Sequence, residues 1–195
     1  MSVVDLEPPT RRMAEVLGGI ADDQLDRPTP CPAYTLGDLV DHIGGFTLAF
    51  TDAAHKAPPA PGAGPSGDAS RLGYDWRERI PRDLAALAAA WRDPEAWTGM
   101  TKAGPFELPG EVAGLVVADE LVIHAWDVAR ASGQPYDDLD PALLDIVHGF
   151  VSQFSGDGPE AREDVFGPPV DVPADAPLFD RILGLAGRDP AWSPS

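Results

Sequence analysis

From Val112 to Arg130 the chain is almost unbroken apolar sequence, and one polar stripe, Glu120, His124 and Asp127, runs through it. A helix that is apolar all round belongs in a core. A carboxylate or imidazole placed there is costly unless it is paired, hydrogen-bonded or bound to a metal. At roughly 100° per residue the three side chains lie within about 60° of one another on the helix surface. Glu120 and His124, one turn apart, can therefore reach a single ion. A divalent cation is the simplest group that would offset burying them.

Such a site needs a third ligand from elsewhere, and the chain has three other histidines. His42 lies among Leu39, Phe46 and Ala49, on a face that points inward. His55 falls at a fraying helix end and reads as exposed; His148, between Val147 and Gly149, reads as a partly buried packing residue. The candidate set is His42, Glu120 and His124. Two neutral imidazoles and one carboxylate around a divalent ion leave an open fourth position, the catalytic pattern for zinc. The same mixed donors tolerate nickel, cobalt, iron or manganese. Asp127 is the rival carboxylate, either a direct ligand or a group that orients a histidine. Asp38, one turn before His42, reads as a helix cap that could also hold the imidazole. The competing reading has both histidines packed and hydrogen-bonded, with Glu120 and Asp127 paired to arginines such as Arg130.

Helices must position these residues. Apolar spacing predicts a first helix over Pro9–Ile20 and a second from a capping box at Thr35–Asp38 to about Lys56. A third spans about Ser70–Arg92, with Pro81 expected to kink or split it. The polar-striped helix ends at Gly133-Gln-Pro135, a fifth covers Pro141–Phe154, and a short last one Leu178–Leu185. Residues 57–67 read as an exposed Pro/Gly linker, 97–109 as non-helical with a short extended piece, and 155–176 as a long acidic loop. The predicted fold is all-α: one domain over 1–195, an antiparallel four-helix bundle with extra C-terminal helices and long loops.

Bulk properties narrow the partners. A net charge of −18 opposes binding to nucleic acid or an anionic membrane. No apolar run is long enough for a membrane span and the start lacks a signal-peptide pattern, so a soluble cytoplasmic protein is expected. The single cysteine, Cys31, sits on an expected ordered turn and can form neither an intrachain disulfide nor a thiolate cluster. Apolar bundle helices often pair two copies, so a homodimer is allowed but not specified.

Two segments carry a resemblance: Thr29-Pro-Cys-Pro-Ala-Tyr-Thr-Leu-Gly-Asp-Leu-Val-Asp-His42 and Asp119-Glu-Leu-Val-Ile-His-Ala-Trp-Asp-Val-Ala-Arg-Ala131. They resemble the DinB-like metalloproteins, in the branch related to mycothiol-dependent maleylpyruvate isomerase. The late segment Val165 to Arg181 resembles an actinobacterial metal-binding subgroup of that branch, and Arg at twelve against Lys at two, with no Asn, fits a GC-rich genome. The resemblance implies a four-helix bundle holding a divalent metal, typically zinc, on the positions of His42, Glu120 and His124. It further implies mycothiol as a small-molecule thiol co-substrate that adds to a cis alkene and lets it rotate. Isomerisation, or transfer to another electrophile, is the expected reaction class. A non-catalytic metal-binding or stress-response module is the alternative. Family members usually carry a further α/β domain; the loop-rich sequence after the fourth helix departs from that pattern.

Overall fold

The computed structural model describes residues 3–58, 66–137, 139–154 and 166–194. The first helix, α1 (Glu7–Gly18), starts with prolines in its first turn, where the missing N–H is harmless, and buries Met13, Val16 and Leu17. α2 (Leu36–Ala54) begins at the predicted capping box: Thr35 Oγ1 accepts from the Asp38 N–H, and the Asp38 carboxylate accepts from the Thr35 N–H.

The predicted third helix is shorter than expected. Residues Ala69–Arg71 form a separate 3₁₀ turn, and α3 runs from Trp76 to Ala90. Two carboxylates on α2 capture the earlier segment: Asp41 accepts from the Asp68 N–H and Asp38 from the Ala69 N–H. Gly73 then interrupts before α3 starts. Pro81 sits inside α3 without ending it; lacking an N–H, it leaves the Arg77 carbonyl without its intrahelical donor.

The expectation of an all-α fold is corrected. The molecule is mostly helical but carries a two-stranded antiparallel hairpin, β1 (Met100–Ala103) and β2 (Phe106–Pro109), where a short extended piece was expected. Gly104 at φ 57° takes the left-handed position its two-residue turn requires. α4 (Gly110–Ser132) follows directly and stops at Gly133, φ 78°. α5 (Pro141–Ser152) and α6 (Leu178–Leu185) complete the helices described here.

α1 packs against α3 and α4, and α2 packs against the same two helices. Met13, Leu17, Leu39, Ile43, Ile80, Leu84, Leu87, Val117 and Leu121 meet in the resulting core, all at most 1% exposed. Each such burial is worth about 1.5–3 kcal/mol. α5 lies on α4, and α6 on α5. Of the predicted linker and acidic loop, 59–65 and 155–165 lie outside the described residues; 166–177 contains no helix or strand. Among the described residues, no helix is long and apolar enough to cross a membrane.

Candidate metal centre

The site forms where α2 crosses α4. Ahead of α2, residues 28–35 close on themselves through a bridge between Pro28 and Thr35. The Thr29 hydroxyl donates to the Cys31 carbonyl (2.8 Å), and the Tyr34 N–H returns to that carbonyl (3.1 Å), the ordered turn expected around Cys31. The turn lays the Tyr34 ring on the His42 imidazole, with centroids 5.2 Å apart. His42, two turns into α2, is 6% exposed.

From α4, Glu120 and His124 reach the same point. Glu120 Oε2 lies 3.3 Å from His42 Nε2 and 3.1 Å from His124 Nε2. One donor atom from each of the three residues falls within 4.8 Å of the others. Tetrahedral zinc with N and O ligands at about 2.0–2.2 Å requires neighbouring donors roughly 3.3 Å apart. The two Glu120 spacings match that value, and the N₂O donor set suits a divalent ion. The Glu120 side chain keeps 25% of its surface open, so the cluster has a solvent-facing side.

Behind the cluster, His124 Nδ1 donates to Asp127 Oδ2 at 2.9 Å. Asp127 is fully buried and pairs with Arg188, whose Nη2 donates to the same oxygen at 3.0 Å. Asp127 thus stands where the orienting alternative put it, on the far ring nitrogen. The arginine expectation is corrected: Arg130 donates to the Pro190 and Trp192 carbonyls, and Asp127 takes Arg188 instead.

The electrostatics follow from these contacts. Burial works against the charged form of His124, but the Glu120 carboxylate and the Asp127 hydrogen bond outweigh it, lifting the imidazole to about 10. Burial likewise opposes ionisation of Glu120, yet the His124 and His42 imidazoles hold it well below the usual carboxylate range. Asp127 is buried too, and Arg188 with His124 keeps it low. Without an ion, Glu120 and Asp127 are carboxylates clamping an imidazolium.

Other candidates stand apart. Asp38 spends its oxygens on Thr35 and the Ala69 N–H, as a cap. His55 is exposed at the end of α2. His148 Nε2 lies 3.1 Å from Arg181 Nη2, joining α5 to α6. Cys31 is buried. Sequence reading missed three neighbours. Tyr34 precedes a helix cap and carries no signal of its own. Arg188 follows a helix distant in sequence. Asp119, 5% exposed, has an Oδ1 without a hydrogen-bond partner among the described residues, and burial together with the Glu120 charge pushes its carboxyl well up. An acidic residue off the stripe of a buried helix was the available clue.

Fold and site define a class: a mostly helical protein presenting a His/Glu/His donor set, able to take one divalent ion, where two helices cross. Residues 6–129 match the mycothiol maleylpyruvate isomerase N-terminal domain, and the chain belongs to that family. It is 34% identical over 187 residues to the uncharacterized protein Rv0738 of Mycobacterium tuberculosis, covering 90% of this chain and 91% of the relative; a protein from a second strain of that species matches equally. Among solved structures it resembles mycothiol-dependent maleylpyruvate isomerase and a histidine-to-alanine mutant of it. Each has a TM-score of 0.57 at 18% identity, covering 78% of this chain and 71% of that one. At that identity the likeness shows a shared fold.

Proposed function

We propose that this chain is a cytoplasmic, metal- and thiol-dependent isomerase or transferase on a DinB-like four-helix bundle. His42, Glu120 and His124 hold one divalent cation, zinc foremost, and a thiol of the mycothiol type is the co-substrate. The observation that carries the reading is the meeting of three donor atoms from two helices within 4.8 Å. Family membership supports the thiol, and the helix contacts support the bundle.

When bound, the ion lowers the pKa of a coordinated thiol and acts as a Lewis acid. The residues supply the rest. Asp127, by accepting from Nδ1, leaves His124 Nε2 as the nitrogen turned toward the cluster. Tyr34 covers the His42 ring and fixes its plane. The open side of Glu120 is where a small thiol and its electrophilic partner approach.

The test is metal content of untagged protein against His42→Ala, Glu120→Ala and His124→Ala. One ion per wild-type chain and loss in each variant is expected; equal occupancy in all four removes the reading. Mycothiol titration of the cobalt-substituted protein, with a panel of cis-alkene and other electrophiles, then tests the reaction. Bound metal with neither thiol binding nor turnover would make the chain a non-catalytic metal-binding module.

A further inference from the structure

We infer that Arg188, from the C-terminal segment, is a positioning residue for the metal centre, acting through Asp127 on His124. The inference rests on the metal reading above and extends it beyond residues 6–129, where the family match ends.

The local sequence explains how Arg188 gets there. α6 ends at Leu185 with Ala186 as its cap, and Gly187 adopts the left-handed conformation at φ 79°. The Arg188 N–H bonds the Leu183 carbonyl (2.8 Å), and the Gly187 N–H bonds the Gly184 carbonyl (3.1 Å). This is the Schellman closure of a helix, with Arg188 as its second residue beyond the cap. Gly187 is required twice over, since a Cβ there would also lie 2.9 Å from the Gly167 backbone. The rigid turn returns the chain toward α4.

All three guanidinium nitrogens then face acceptors. Nη1 donates to the Ala186 carbonyl (2.8 Å), and Nη2 to Asp127 Oδ2 (3.0 Å), with Nε 3.5 Å from Oδ1. Arg188 is 8% exposed and Asp127 0%. A carboxylate this deep stays ionised only if a fixed cation faces it. The planar fork also sets the plane of the carboxylate, and hence the direction from which Oδ2 receives His124 Nδ1–H. Partners of this kind, outside the ligands themselves, fix the ring's orientation and are worth about 10–100-fold in metal affinity. A line of charge thus runs from the C-terminal segment to the ligand: Arg188, Asp127, His124.

The experiment measures zinc affinity by chelator competition and the visible spectrum of the cobalt(II) protein, for wild type, Arg188→Gln, Arg188→Lys and Arg181→Gln. Arg181 lies on α6 and contacts His148 rather than Asp127, so its variant reports the effect of disturbing α6 alone. Expected are at least about a tenfold loss of affinity and an altered cobalt spectrum in Arg188→Gln, partial recovery in Arg188→Lys, and wild-type values in Arg181→Gln. Wild-type affinity and spectrum in Arg188→Gln would overturn the inference, as would an equal loss in Arg181→Gln. If Arg188→Gln does not fold, Arg188→Lys, which keeps the charge and loses the fork, decides alone: a weaker site with a shifted spectrum supports the inference, an unchanged one overturns it. Wild type without metal defeats the metal reading itself, which is a distinct result.

Discussion

Helix α4 buries two unlike regions. Toward its start, Ala113, Gly114 and Val117 fit by shape: Gly114 lies so close to Trp97 that a Cβ would come within 2.3 Å of the indole ring. Toward its end, Glu120, His124 and Asp127 are held by partner identity, through His42 on α2 and Arg188 beyond α6. Both regions are inside the molecule, yet they fail differently. A shape contact degrades by degrees as methylenes are removed or added. A charged contact fails abruptly, since each group depends on another for its right to be buried.

The sharpest break is Asp127→Ala. It leaves the Arg188 guanidinium buried without its carboxylate, for which a loss of about 3–5 kcal/mol is expected in denaturant unfolding. Leu121→Ala, in the same helix and equally buried, should cost about 2–5 kcal/mol through its cavity. The two differ in metal binding: the first should lose zinc affinity and the second keep it. Loss of zinc in both would mean that the two regions are not separable.

Next is pH. In metal-free protein His124 is raised to about 10 from its usual 6.5. The folded state therefore holds this proton more tightly than the unfolded one. The stabilisation is complete below about pH 6.5 and disappears as pH rises through about 10. Metal-free protein should unfold more readily at pH 10.5 than at pH 6, by on the order of a few kcal/mol, and His124→Gln should erase most of that difference. Leu121→Ala should preserve it. Zinc must displace the same proton, so its apparent affinity should climb with pH across this range, with about one proton released per ion.

The same contrast explains what could be read in advance. The apolar pattern located the six helices α1 to α6, because each turns buried residues to the core. The meeting of His42, Glu120 and His124 was legible because Glu120 and His124 share a turn spacing and His42 sits on an inward face. The stretch from Ser70 to Asp75 was misread as the start of α3, because the capture of the Asp68 and Ala69 N–H groups by Asp41 and Asp38 is a contact across some thirty residues. Arg188 was invisible for the same reason: nothing near it in sequence is polar and buried. Tyr34 was hidden because its partner, His42, matters through ring stacking, which leaves no spacing pattern.

A smaller test probes the shape-held region alone. Gly114→Ala puts a Cβ into the Trp97 ring. Overpacking costs about 1–3 kcal/mol, offset by up to about 1 kcal/mol from alanine's better helix propensity. A net loss of about 1 kcal/mol with unchanged zinc affinity is expected by calorimetry and chelator competition. A weakened site would show that strain travels along α4 from Trp97 to Glu120.

The smallest effect concerns where α2 begins. Thr35→Ala removes the hydroxyl that accepts from the Asp38 N–H, and with it half of the capping box. The expected cost is about 1 kcal/mol, whereas Thr35→Gly should cost only a few tenths. Asp38 also holds the Ala69 N–H, so the cap is coupled to the segment lying along α2. His42 is two turns further on and is fixed by Tyr34 and Glu120 rather than by the helix end. Zinc affinity should therefore be the same in both variants and in wild type. A drop in affinity that tracked the loss of stability would mean that the ligand on α2 is positioned by its helix start, and that this part of the site is held by backbone shape after all.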